Sequence, residues 1–169
     1  MIYFTSDLHF CHNKEFIWKE RGFNSVEEMN EFIVEQFNQI IKPDDDLYLL
    51  GDCCMGQNED SIPLLAKING MKHLAIGNHD TDARLVEYRI RNLFGSIEYG
   101  GRLKYHNTLF LLSHYPMQVG NSTKEKVWNL HGHTHQRFPL SALPQCYNVG
   151  VDAHDCMPVS IEEIYEQIK

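Results

Sequence analysis

What this chain lacks narrows its function before any motif does. It has no run approaching the ~20 apolar residues of a membrane span. Its opening, "MIYFTSDLHF", places a carboxylate and a histidine where the apolar stretch of a secretory leader would continue. It has no excess of positive charge. The formal net charge is −8, which argues against a long nucleic-acid groove or an anionic membrane surface as the main partner. That count overstates the outer field wherever carboxylates are bound to cations. Nor is there a disulfide framework. The five cysteines (Cys11, Cys53, Cys54, Cys146 and Cys156) are odd in number and contain no CxxC pair. The adjacent pair Cys53 and Cys54 could bridge only with poor geometry. They read as reduced thiols filling small core gaps in a cytoplasmic protein. No linker, low-complexity tract or internal repeat divides the sequence. Residues 1–169 are therefore expected to form one α/β domain, of a size that buries roughly 70% of its unfolded surface without staples.

What is present is a repeated arrangement. Short apolar runs, rich in aromatic, aliphatic and β-branched residues, read as buried strands, and most end in the same way. "MIYFTSD" runs into Asp7, "DLYLLGD" into Asp52, and "HLAIGNHD" into Asn78 and His79. "TLFLLSH" ends at His114 and "VWNLHGH" at His133. A random arrangement would scatter Asp and His evenly between strand starts and strand ends. Between these runs lie helices. "SVEEMNEFIVEQFNQII" carries Val26, Met29, Ile33, Phe37 and Ile40 as an amphipathic stripe, with Ser25 and Glu28 as a capping box. Residues 61–69 and 82–93 read as two further helices, and Ser160 with Glu163 opens a last one. These stripes are core faces and nothing more. "GRLKYHNTLFLLSH" reads as a hairpin turning near "HN".

The segment "LHGHTH" at 130–135 puts three histidines in six positions. Packing supplies no reason for that much imidazole, and the competing reading is a polar surface loop. In open α/β sheets, ligands bind beyond the carboxyl ends of the strands. Asp7, His9, Asp52, Asn78, His79, His114, His133 and His135 would therefore gather along one edge. So many carboxylate, amide and imidazole groups exceed the needs of one four-coordinate ion and suit two. Such a pair serves displacements at phosphorus. Mixed nitrogen and oxygen ligation admits Mn, Fe, Zn, Co or Ni.

"DLH" at 7–9, "GD" at 51–52, "GNHD" at 77–80, "SH" at 113–114 and "GHTH" at 132–135 together resemble the calcineurin-like metallophosphoesterases, in that family's order. The trailing "YNVGVDAHDCMPVSIEEI" resembles the end of small bacterial and phage members. The resemblance implies a fold of two facing mixed β-sheets flanked by helices. It implies that Asp7, His9 and His135 hold one divalent ion, that Asn78, His114 and His133 hold a second, and that Asp52 bridges them. A hydroxide shared by the ions would attack phosphorus, while His79 protonates the leaving oxygen and Asp80 orients its imidazole. His12 and Asn78 could touch the substrate. His131 is expected to be a buried supporting residue. His73, His106 and His154 read as ordinary polar residues. Tyr115 and Pro116 lie where they could shape the mouth of the site. Gly51, Gly77 and Gly132 stand beside ligands, where a tight turn or a close backbone approach is useful.

One departure narrows the substrate. Protein Ser/Thr phosphatases and their dinucleoside-tetraphosphatase relatives follow "GD" with a second Asp and a phosphate-gripping Arg. This chain reads "GDCCMG". The expected activity is therefore phosphodiester hydrolysis on a small nucleotide-like or other diester, with no long nucleic acid and no membrane as partner. A nuclease on short oligonucleotides is the alternative within enzymes. A non-catalytic scaffold, as in a retromer subunit of the same fold, is the alternative outside them. Scaffolds tend to lose ligands or the catalytic histidine, and this chain retains both.

Overall fold

The computed structural model describes residues 1–120, 126–140 and 143–169. The apolar runs are its strands. β1 (Ile2–Thr5), β2 (Asp46–Leu49), β3 (Met71–Ala75) and β4 (Ser96–Glu98) run parallel in a first sheet of order β4-β3-β2-β1-β9. β9 (Val159–Ser160) joins its edge antiparallel to β1. The second sheet has the order β5-β6-β7-β8. There β5 (Gly101–Tyr105) and β6 (Thr108–Leu112) form the expected hairpin. β7 (Lys126–His131) and β8 (Cys146–Asn148) then add in parallel. Both sheets are thus mixed, as the resemblance implies.

Side-chain alternation along the strands builds two cores. Leu47 and Leu49 point to one face of the first sheet, where α2 (Val26–Ile40), α3 (Asn58–Lys67) and α4 (Asp82–Ile90) bury Met29, Ile33, Phe37, Leu65 and Tyr88 against them. Phe4 and Ala75 point the other way, into a cluster with Phe110, Leu112, Leu130 and Tyr147 of the second sheet. The sheets therefore face each other across this second core. α5 (Ile161–Ile168) closes it with Ile161, Ile164 and Ile168. Each fully buried aliphatic or aromatic side chain contributes about 1.5–3 kcal/mol.

The helix ends differ from expectation in detail. Ser160 and Glu163 form the full capping box. At α2 the box is half made: Ser25 Oγ accepts the Glu28 amide, but the Glu28 carboxylate turns to the Asn24 amide. α3 begins at Asn58 rather than 61. α4 stops at Ile90 rather than 93, where Asn92 takes a left-handed conformation that ends the helix. A single helical turn, α1 (Glu15–Trp18), has no counterpart in the sequence periodicity. All five cysteines are free thiols, with Cys11 half-buried and the others buried. Among the described residues, no helix is long and apolar enough to cross a membrane.

Candidate metal centre

Parallel pairing puts the carboxyl ends of β1, β2 and β3 on one edge, and those of β6 and β7 on the matching edge of the second sheet. Backbone bonds then stitch the emerging loops together. The Asp7 amide donates to Gly51 O at 3.0 Å, the His9 amide to Asp52 O at 3.1 Å, and the Gly132 amide to His114 O at 3.0 Å. The turns are sharp enough that Asp7, His9, Asp52, His133 and His135 all have positive φ, between 49° and 68°. Left-handed backbone costs a non-glycine residue roughly 1–2 kcal/mol. Clusters of such residues mark sites where the surrounding fold holds side chains in place for a task.

The side chains converge in two groups. Asp7, His9 and His135 each offer a ligand atom within 4.8 Å of the others, and so do Asp7, Asp52 and His114. His9 Nε2 is 3.8 Å from Asp7 Oδ1, and His135 Nε2 is 3.8 Å from the same oxygen. Around His114 the spacing is tighter. Its Nε2 lies 2.8 Å from Asn78 Oδ1 and 3.2 Å from His133 Nδ1. Its Nδ1 is anchored 2.8 Å from Leu50 O. Asp52 Oδ2 sits between the groups, 3.9 Å from His9 Nε2 and 3.5 Å from His114 Nε2.

Several of these atoms have no partner of their own. Asp7 Oδ1 and both ring nitrogens of His9 are buried without a hydrogen bond, and buried polar atoms are nearly always paired. Two imidazole nitrogens facing each other, as in His114 and His133, make a hydrogen bond only if one is protonated. Cations would satisfy Asp7 Oδ1, His9 Nε2 and the facing nitrogens of His114 and His133, so the residues present fit divalent metal ions. Their charge states agree. Burial opposes ionisation of Asp7, but the neighbouring His9, His135 and His114 hold its pKa below the ordinary value. Burial also pushes His9 and His133 down, leaving their lone pairs free at neutral pH.

The glycines are required by space. A Cβ on Gly132 would fall on Ser6 Oγ and Asp7 Oδ2, and one on Gly77 would fall on Asp52 Oδ1. His131 is fully buried, with Nδ1 2.9 Å from Gly132 O, and lies behind the cluster rather than in it. His79 projects outward, its side chain 45% exposed and its Nε2 4.0 Å from Asp52 Oδ2. Its amide donates to Asp52 Oδ1 at 2.8 Å.

Asp80 corrects an expectation. Its carboxylate does not orient the His79 imidazole. Oδ2 accepts the amides of Asp52 and Gly77, each at 2.9 Å, and Oδ1 has no hydrogen-bond partner. Two buried amides at the loop junction need an acceptor, and the side chain turns inward to supply it. Asp80 thereby ties the Asp52 loop to the Asn78–His79 loop.

Sequence reasoning missed Arg21 and Asp152. Asp152 Oδ2 lies 2.8 Å from His135 Nδ1, and Arg21 grips the same carboxylate through Nε at 2.9 Å and Nη2 at 3.0 Å. Arg21 also donates to the carbonyls of Asp7 and Leu8. Its partner lies 131 positions away, so no local spacing announces the pair. The hydrogen bond that His135 donates to Asp152 raises the pKa of His135. Burial pushes up the Asp152 carboxyl, yet His135 and Arg21 hold it well below the ordinary carboxylate range.

Beside the cluster opens a cleft of about 540 Å³, lined by His9, His79 and His135 at its base and by His12, Phe16 and Arg137 farther out. His12 thus stands where a substrate contact was expected, its ring 5.3 Å from that of His9. Burial, with the nearby His9 and His79, lowers its pKa to about 4. Asn78 sits with His114 rather than along this cleft. Tyr115 packs edge-on against His114 and His133, which places it at the margin of the second group.

The calcineurin-like phosphoesterase family model matches residues 1–158. The chain is 30% identical over 175 residues to an uncharacterised protein of Methanocaldococcus jannaschii, covering 99% of this chain and 91% of that one. It is also 30% identical over 196 residues to the gene 66 protein of Mycobacterium phage L5, covering 98% and 93%. Among solved structures, a protein of unknown function from Aquifex aeolicus is similar with a TM-score of 0.79 at 27% identity, over 99% of both chains.

Proposed function

The chain belongs to the calcineurin-like phosphoesterase family, and from that premise we propose that it is a two-metal phosphodiesterase for a small, nucleotide-like substrate. The observation that carries this reading is the position of Asp52, whose Oδ2 lies within 4 Å of imidazole nitrogens from both groups. Asp7, His9 and His135 would hold one divalent ion and Asn78, His114 and His133 the other, with Asp52 shared. When bound, such ions neutralise phosphoryl oxygens and acidify water to a nucleophile at neutral pH. The residues supply the rest. His79, anchored by its backbone amide and with its side chain 45% exposed, faces the cleft and can pass a proton from Nε2 to the leaving oxygen. Asp80 acts through the loops, by holding the Asp52 and Gly77 backbones in register.

The charges available favour a diester. Arg137 is the only Lys or Arg among the described residues lining the cleft, and it is paired with Glu20 at 3.0 Å. Arg84, the basic side chain nearest the "GDCCMG" loop, is committed to the carbonyls of Cys54, Gly56 and His79. The single guanidinium lining the cleft is offset by the Glu20 carboxylate beside it, so the lining carries no net positive charge for the second charge of a monoester, and a diester with its single charge fits better. The cleft volume falls in the range of small-molecule sites. A scaffold role is disfavoured because all seven proposed ligands and His79 are present.

The test is a comparison of methyl 4-nitrophenyl phosphate with 4-nitrophenyl phosphate on protein reconstituted with Mn, Fe, Zn, Co or Ni. The diester is expected to give the higher kcat/KM. A monoester preference across several metals would contradict the reading.

A further inference from the structure

The outer wall of the cleft raises a separate question. Phe16 is 66% exposed while its neighbour Ile17 is buried, so core packing does not account for its direction. The turn that carries it is anchored from the ligand side: the Lys14 amide donates to His12 O at 2.8 Å, and the Ile17 amide to Lys14 O at 2.9 Å. Its ring meets His12 edge-on at 5.7 Å, and His12 meets His9 at 5.3 Å. His9 in turn touches the rings of His79 at 5.6 Å and His135 at 5.0 Å. An unbroken aromatic wall thus runs from the proposed metal ligands to an exposed phenyl face, two ring-to-ring steps away.

The charges along this wall select what can lie on it. Glu20 and Asp152 line the same cleft, and Arg137 is already paired with Glu20. Each carboxylate and guanidinium here is matched by a partner, Glu20 by Arg137 and Asp152 by Arg21, so the wall carries no surplus positive charge for a second phosphate and a polyphosphate is disfavoured. A flat, uncharged ring is favoured.

We infer that Phe16 is a stacking platform for the nucleobase, or an equivalent flat ring, of the phosphodiester's non-leaving group. The phosphate would then sit at the His9–His135 end and the leaving group near His79. This deepens the phosphodiesterase reading and rests on it. Stacking on an aromatic side chain tolerates any base because every base has a π-face, so the platform would select nucleosides as a class and not one base.

The test uses metal-reconstituted protein and two diesters with one leaving group, thymidine 5′-(4-nitrophenyl phosphate) and methyl 4-nitrophenyl phosphate. The nucleoside diester is expected to have a kcat/KM ~10-fold higher or more, the scale of one base–aromatic stack. In Phe16→Ala the ratio should fall toward unity through KM, and in Phe16→Trp it should persist. A ratio near unity in the native protein, or one that survives Phe16→Ala, overturns the inference while leaving the phosphodiesterase reading intact. If neither diester is turned over with any metal, that reading falls, and binding alone judges the platform. Adenosine 5′-monophosphate must then bind the metal-loaded protein ~10-fold more tightly than ribose 5-phosphate, with the difference lost in Phe16→Ala. Equal affinities overturn it. A dinucleotide should be turned over at least as well as a longer single strand, and a clear preference for the strand overturns the small-substrate assignment.

Discussion

Asp152 and His135 meet at 2.8 Å through Oδ2 and Nδ1, which leaves the opposite ring nitrogen, Nε2, 3.8 Å from Asp7 Oδ1. A carboxylate on one nitrogen fixes the tautomer and direction of the ring, so the other nitrogen presents its lone pair. Arg21 holds that carboxylate from behind with a side chain only 2% exposed. Asp152→Asn is therefore expected to weaken binding of the ion held by His135 by ~10–100-fold, the scale for lost outer partners of a metal ligand. Chelator competition measures it, and unchanged affinity would remove the role. Asp152→Ala should in addition destabilise the fold by about 3–5 kcal/mol, because Arg21 is left buried without its ion pair.

His79→Ala should retain both metals and slow turnover by ~100-fold or more for an alkyl leaving group. The loss should shrink for nitrophenolate, which needs no proton to depart. Metal loss in this variant would make His79 a ligand and void its assignment as the acid.

Asp80→Ala should lower stability by at least about 1–3 kcal/mol, since the buried amides of Asp52 and Gly77 lose their acceptor. Denaturant unfolding of the metal-free protein checks this. A variant of native stability that matches His79→Ala in activity would restore the imidazole-orienting role.

Acid should weaken the metal-free fold through the histidines. Burial lowers the pKa of His9, His131 and His133, and that of His12 to about 4, from the ordinary 6.5. Below 6.5 the unfolded chain takes up protons that the folded chain refuses, so stability falls as pH falls. His135, raised by Asp152, works in the opposite sense and loses its contribution as pH rises above 6.5. The lowered groups outnumber it. Melting temperatures in chelator should drop between about pH 6.5 and 4, and His12→Ala should flatten that slope. A melting temperature that climbs with acid would contradict the neutral-imidazole picture.

Much of this site was legible because strand ends are a local property. Asp7, Asp52, Asn78 and His114 each lie two or three residues beyond β1, β2, β3 or β6, where short apolar runs stop. His133 and His135 follow β7 by two and four residues. The hairpin at His106 and Asn107 and the stripe of α2 were readable for the same reason. What escaped is non-local or directional. Spacing does not say which way a loop carboxylate turns, so Asp80 was misassigned. Nothing near Arg21 or Asp152 in sequence marks their pairing across the fold. The two-residue β9 and the single turn α1 are too short for periodicity to detect. That turn nonetheless carries Phe16.

Metal stoichiometry reports most directly on whether two ions share this site. Elemental analysis of the protein after reconstitution and removal of free metal should give two transition-metal ions per chain, falling to one or fewer in Asp52→Asn, because Asp52 Oδ2 lies within 4 Å of both His9 Nε2 and His114 Nε2. Saturation at a single ion, unchanged by Asp52→Asn, would contradict that sharing.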